Sequence, residues 1–94
     1  MQFLIVAHDG TDDEALDRRM AVREAHLEGA RKRAASGMTI HGGAMLDDDG
    51  KMIGSASVVE VESRAELDAW LETDPYVTGD VWRNITVTPF RRAV

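Results

Sequence analysis

The sequence has no cysteine in its 94 residues, which excludes disulfide stapling and thiolate chemistry and fits a reducing compartment such as the cytoplasm. It lacks any apolar run of the length that a bilayer requires, so a soluble chain is expected. Excess positive charge is missing as well: 11 Lys and Arg stand against 17 Asp and Glu, for a formal charge of -6. Phosphate neutralisation needs a concentrated basic surface, and the bases here are interleaved with acids, so nucleic acid is not an expected partner. Met1 to Ala7 is a short apolar run without a basic flank, closed early by His8-Asp9, and it reads as a buried strand rather than a signal peptide. No Gly-rich phosphate loop, nucleophile elbow or dinucleotide fingerprint occurs. His8, Asp9 and His41 show no His-x-x-x-His spacing, and Asp47-Asp48-Asp49-Gly50 lacks the downstream Glu of a calcium loop. Neither a metal nor a cofactor is therefore expected.

What is present is a globular composition, 44% hydrophobic and 30% charged, with length for one domain over residues 1–94 and no repeat or linker. Phe3 to Ala7 is apolar on both alternating faces, which predicts a strand covered on both sides. Gly10 ends it. Thr11-Asp12-Asp13-Glu14 has the S/T-x-x-E spacing of a capping box, so a long helix is expected to start there and to stop at Gly37. Within it Leu16, Met20, Leu27, Ala30 and Ala34 recur at helical intervals, predicting a core-facing stripe flanked by Arg19, Arg23 and His26. Met38 to Leu46 and Ile53 to Val61 read as two strands of a hairpin around the turn at Asp47–Lys51. Gly42-Gly43 inside the first of these predicts a bulge or a close approach by a ligand or another backbone. Ser63-Arg64-Ala65-Glu66 repeats the capping spacing ahead of a helix anchored by Leu67, Trp70 and Leu71. That helix must end near Asp74-Pro75. Trp82 to Phe90 alternates Ile85 and Val87 with Thr86 and Thr88, giving a last strand.

The order βαββαβ is the α+β, ferredoxin-like arrangement: a four-stranded antiparallel sheet with two helices on one face. Its other face would be bare, and because the first strand is apolar on both sides, a second copy of the chain is expected to cover it. Among groups able to do chemistry, His26 leads, since imidazole exchanges protons near neutral pH. A histidine that only decorates a helix surface accounts for the same pattern. Asp74 is the second candidate, as an acid able to orient an imidazole; an Asp before Pro also suits the cap of a short helix. Arg19 and Arg23 can present guanidinium forks to a carboxylate or phenolate, or pair with Asp17, Glu24 and Glu28. Gly42 and Gly43 can expose backbone amides, and Ser55 and Tyr76 can donate hydrogen bonds or serve packing alone.

Arg23-Glu24-Ala25-His26-Leu27, Gly42-Gly43, Asp74-Pro75-Tyr76 and Thr88-Pro89-Phe90, taken together over nearly the whole chain, resemble the YciI-like family. That resemblance implies a dimeric α/β barrel and an active site built from a His and an Asp, matching His26 and Asp74. One branch of the family is similar to a dehydrochlorinase acting on a hydroxylated aromatic ring. This chain departs from the family in having Gly43-Ala44 where Gly-Pro is common, which bears on the pocket loop. The expectation is a cofactor-free lyase or isomerase acting on an anionic or phenolic small molecule, with His26 exchanging the proton, Asp74 orienting it and Arg19 or Arg23 holding the anion. The alternative, from a different class, is a non-catalytic ligand-binding or interaction module of the same fold.

Overall fold

The computed structural model describes all 94 residues. Its elements run β1 (Gln2–Asp9), α1 (Ala15–Ala35), β2 (Thr39–Leu46), β3 (Met52–Glu60), α2 (Arg64–Leu71), α3 (Pro75–Thr78) and β4 (Trp82–Phe90). The four strands form one antiparallel sheet in the order β2-β3-β1-β4, which is ferredoxin-like, with the helices on one side. Period-two alternation on β1 aims Phe3, Ile5, Ala7 and Asp9 at the helices, where all four are buried. Leu4 and Val6 take the opposite face, across from Val58 and Ala56 of β3.

The core under α2 is conventional. Phe3, Ile5, Val59, Val61 and Leu67 form one buried cluster, and Ala7, Tyr76, Val81 and Trp82 form a second, with Leu71 and Ile85 touching both. Ser63 caps α2 by accepting from the Glu66 amide at 3.2 Å, while Glu66 accepts from the Glu62 amide at 2.9 Å, one residue before the position that a standard capping box uses. Pro75 opens the short helix α3, which Asp74 caps through the Tyr76 amide at 2.9 Å.

Two expectations for the first half of the chain need correction. Thr11 does not cap α1, which starts four residues later behind Glu14 with no side-chain cap; Asp12 instead turns to Arg18, with contacts of 2.8 and 3.2 Å. Gly37 does take the left-handed conformation expected of the stop, at φ 85°. The core-facing stripe of α1 is also displaced. Met20 is 50% exposed, Ala34 is exposed, and Arg19 is buried to 3%, so the inward face runs Ala15, Arg19, Val22, His26 and Arg33. Burial of those polar residues is possible because acids and hydroxyls meet them from the strands and α3. Of the two readings of Gly42-Gly43, a bulge does not fall on the pair itself: the irregularities of β2 lie between Thr39 and His41 and between Met45 and Leu46, flanking it. A side chain on Gly42 would come within 3.3 Å of the Ser57 Cβ, whereas Gly43 faces open space.

Candidate functional site

Between α1 and the β2-β3 hairpin lies a cavity of about 430 Å³. It exists because the residues under the helix are small: Gly42, Gly43, Ala44, Ser55, Ala56 and Ser57 on the strands, and Ala30 and Ala34 on the helix, cannot fill the space that larger side chains fill beneath α2. Arg19, Arg23, His26, Tyr76, Trp70 and Trp82 form its polar and aromatic wall. Four arginines and no carboxylate line it, so the hollow is arginine-rich in a chain that is acidic as a whole, although Arg19, Arg31 and Arg33 are each paired with an acid. Of the eight residues singled out by the sequence, Arg19, Arg23, His26, Gly42, Gly43, Ser55 and Tyr76 meet at this cavity. The eighth, Asp74, stands behind His26.

The His26 Nδ1 lies 2.8 Å from the Asp74 Oδ1, with the imidazole 14% exposed and the carboxylate fully buried. Asp74 also receives the Tyr76 amide on Oδ1, and Arg33 and the Trp70 indole N–H on Oδ2, each of the latter at 3.2 Å. Burial by itself raises the proton affinity of such a carboxyl. The hydrogen bond from His26 and that of the Tyr76 amide, with the charges of His26 and Arg33, outweigh it and hold Asp74 below the ordinary carboxylate value. An ionised Asp74 can only accept, so the hydrogen it shares with His26 sits on Nδ1, and in the neutral ring Nε2 carries the lone pair. Burial pulls the Arg33 guanidinium below its ordinary value, although Asp74 opposes the shift. Tyr76 stacks on the imidazole, with centroids 3.8 Å apart and planes 13° apart, and Trp82 meets it edge-on at 5.7 Å. Burial raises the proton affinity of the Tyr76 phenol against the pull of Arg19 and Arg23.

A second buried knot lies nearby. Arg19 donates through NH1 to both oxygens of Asp9 at 3.1 Å and through NH2 to the Ser55 Oγ at 3.0 Å, and the Trp82 indole donates to the same Oγ at 3.2 Å. With both lone pairs engaged, the Ser55 hydroxyl hydrogen is the group's one remaining valence, and Ser55 lines the cavity. The two terminal nitrogens of Arg19 are thereby occupied within the protein, while its Nε is buried without a partner. The other ion pairs on α1 use Arg18, Arg31, Lys32 and Arg33, and leave Arg23 without one. Asp9, raised above only in connection with metals, is thus an ion-pair partner, and no group of three His, Asp or Glu side chains gathers anywhere in the chain.

Arg33, Trp70, Trp82 and Asp9 were not singled out for the site by sequence reasoning. A signal existed for two of them: Arg33 is seven residues after His26, two turns along the same face, and Asp9 continues the inward alternation of Phe3, Ile5 and Ala7. A charged residue at an inward strand position needs a partner.

Fold and site together define a small ferredoxin-like α+β protein with an arginine-lined cavity and a buried His-Asp pair at its wall. The chain belongs to the family of YCII-related domains, which it matches over residues 1–91. It is 33% identical to Protein YciI of Escherichia coli O6:H1 over 98% of each chain. Among solved structures it is similar to a 5-chloro-2-hydroxyhydroquinone dehydrochlorinase from Burkholderia phenoliruptrix AC1100, in complex with 2,5-dihydroxybenzoquinone. That likeness has a TM-score of 0.86 and 28% identity, covering 99% of this chain and 96% of that one. An antibiotic biosynthesis monooxygenase shares the fold alone, with a TM-score of 0.58 and 18% identity over the full length of both. No helix is long and apolar enough to cross a membrane.

Proposed function

We propose that the protein is a small-molecule acid/base enzyme of the lyase or isomerase type, with His26 and Asp74 as its catalytic pair and the α1–β2–β3 cavity as its substrate site. The observation that carries this reading is the 2.8 Å contact of Asp74 with His26 Nδ1, which leaves Nε2 as the ring's basic atom at a cavity wall. In this scheme Nε2 takes a proton from a hydroxyl, or from a carbon next to a leaving group, and Asp74 stabilises the imidazolium that results. Charge developing on a substrate oxygen is met by the unpaired guanidinium of Arg23 and the outward hydroxyl hydrogen of Ser55. Arg19 holds Ser55 in place, Gly42 and Gly43 leave room for a ring, and Tyr76 fixes the imidazole plane.

The solved dehydrochlorinase supports an elimination on a hydroxylated ring as the first reaction to try. In such a step one hydroxyl proton passes to Nε2 as its electron pair forms a ring carbonyl and the chlorine-bearing carbon takes up a proton; chloride then departs with the carbon–chlorine pair as a second hydroxyl loses its proton to become the other carbonyl, so hydrogen chloride is lost in sum. A second copy of the chain is proposed to cover the open sheet face around Leu4 and Val6. A purely ligand-binding role is the competing reading; it predicts saturable binding with no product.

Incubation with 5-chloro-2-hydroxyhydroquinone and a panel of halogenated and hydroxylated aromatics, read by chloride release and by melting temperature, tests the proposal. At least one compound should raise the melting temperature and be consumed, and His26→Asn should slow that turnover by 100-fold or more, on the order of what a general base supplies. Full turnover by His26→Asn would remove His26 from the chemistry, and binding without product would favour the binding module.

A further inference from the structure

The Asp74 carboxylate serves two cations at once. Its Oδ1 faces the His26 ring at 2.8 Å, and its Oδ2 faces the Arg33 NH2 at 3.2 Å. Arg33 is held there rather than left mobile: its guanidinium lies 4.4 Å over the Trp70 ring, and the Trp70 indole donates to the same Oδ2. His26 and Arg33 are two helical turns apart on α1, so the helix itself fixes the spacing at which both reach one carboxylate.

We propose that Arg33 is a positioning residue that neutralises Asp74 from behind, so that His26 stands as a neutral Nδ1–H imidazole, basic at Nε2, instead of a persistent imidazolium. The proposal rests on the reading of His26 as the acid/base group and extends it to a residue outside the pair. An Asp-His pair alone favours the charged imidazolium, because the carboxylate is then the ring's nearest counter-charge. A base that is already protonated at neutral pH cannot take a proton from substrate. With Arg33 cancelling the carboxylate, a proton added to His26 leaves net positive charge at the wall.

The other groups around the ring do not offset that charge. Arg19 on α1 is matched by Asp9 of β1, and Arg31 by Glu24. Arg23, unmatched on α1, adds to the cost, and Tyr76 of α3 stacks on the ring as a neutral phenol. From β2, His41 shares the cavity, while β3 and β4 contribute the uncharged Ser55 and Trp82. Geometry also supports a fixed tautomer: three donors besides His26 hold the carboxylate, so it cannot turn to offer a protonated oxygen to Nδ1.

Nitrogen-15 spectra of the histidine rings across a pH series test this without any substrate, the His26 signals being assigned by their loss in His26→Asn. The unmodified protein should show the Nδ1–H tautomer on the alkaline side of the transition. In Arg33→Gln the His26 transition should move up by about one pH unit, a tenfold gain in proton affinity, on the order of what one neighbouring charge supplies. Arg33→Lys, which restores the charge on a similar stem, should return the transition to its original position. An unmoved transition in Arg33→Gln, or an equal upward shift in Arg33→Lys, would overturn the proposal and leave Arg33 as a helix-end anchor. Should Arg33→Gln not fold, Arg33→Met, which removes the charge and keeps an apolar stem over Trp70, takes its place: the same upward shift is expected, and an unmoved transition would overturn the proposal. Because these spectra read the ring directly, a shift as expected in a protein that turns nothing over would retain the role of Arg33 and remove only the enzymatic reading.

Discussion

Two buried carboxylates meet guanidinium groups of the same helix, and they end in opposite chemical states. At Asp9 the partner is Arg19, and the knot is closed on itself: both acid oxygens receive NH1, NH2 and the Trp82 indole share the Ser55 oxygen, and the Arg19 Nε is buried without a partner. At Asp74 one of the partners is an imidazole, and the knot keeps a free valence on Nε2 at the cavity wall. The same helix face thus carries a fixed support at one level and a titratable group two turns on. A buried ion pair is weak support for stability but can fix one arrangement of a site, and the Asp9-Arg19 pair fixes Ser55 and Trp82 where the cavity needs them.

The sharpest way to break that comparison is to remove the fixed cation. Arg19→Met leaves Asp9 as an uncompensated buried charge and should cost about 3–5 kcal/mol in chemical denaturation. Adding Asp9→Leu should recover most of the loss, because the pair is then replaced by apolar groups that pack in the same place. A cost below about 1 kcal/mol for the single change would mean that Asp9 reaches water, and the contrast between the two knots would fail.

The legible part of the sequence was the part governed by apolar alternation. β1, the β2-β3 hairpin and β4 follow from period two, and Ser63 and Gly37 mark helix limits by chemistry that needs no tertiary partner. The inner face of α1 was obscure for a physical reason. A stripe of Leu, Met and Ala looks like the buried face until something makes burial of Arg19 and Arg33 favourable, and those partners lie ten and 41 residues away in the chain. Thr11 misled in the same way: its capping spacing is real, but Asp12 is drawn to Arg18 by a contact strong enough to lower its carboxyl to about 2, and the helix begins later. His26 and Asp74 were found as residue types, yet only the fold brings them together across 48 positions.

A second comparison is available in acid. Asp74 binds a proton less readily in the folded chain than in the unfolded one, so its contribution to stability is present above the ordinary carboxylate value and is lost as the pH falls through its lower folded value. Asp12 and Glu60 are lowered too, by Arg18 and by the chain's amino terminus, and add an acid limb of their own. Asp74→Asn keeps an N-cap residue for α3 and removes only the share of Asp74. Denaturation midpoints between pH 6 and pH 2 should therefore fall less steeply in Asp74→Asn than in the unmodified protein; parallel curves would show that Asp74 does not govern this limb.

The smallest expected effect on stability is the most informative about function. His26→Asn removes the stack on Tyr76 and one of four hydrogen bonds to Asp74, but Arg33, Trp70 and the Tyr76 amide still satisfy the carboxylate. Loss of an aromatic pair costs about 1 kcal/mol, well below the cost at Arg19. A small cost of this kind would agree with the role proposed for His26 in chemistry rather than in support. If His26→Asn destabilised the protein as much as Arg19→Met, the imidazole would belong with Arg19 among the structural groups, and its free nitrogen would lose its significance.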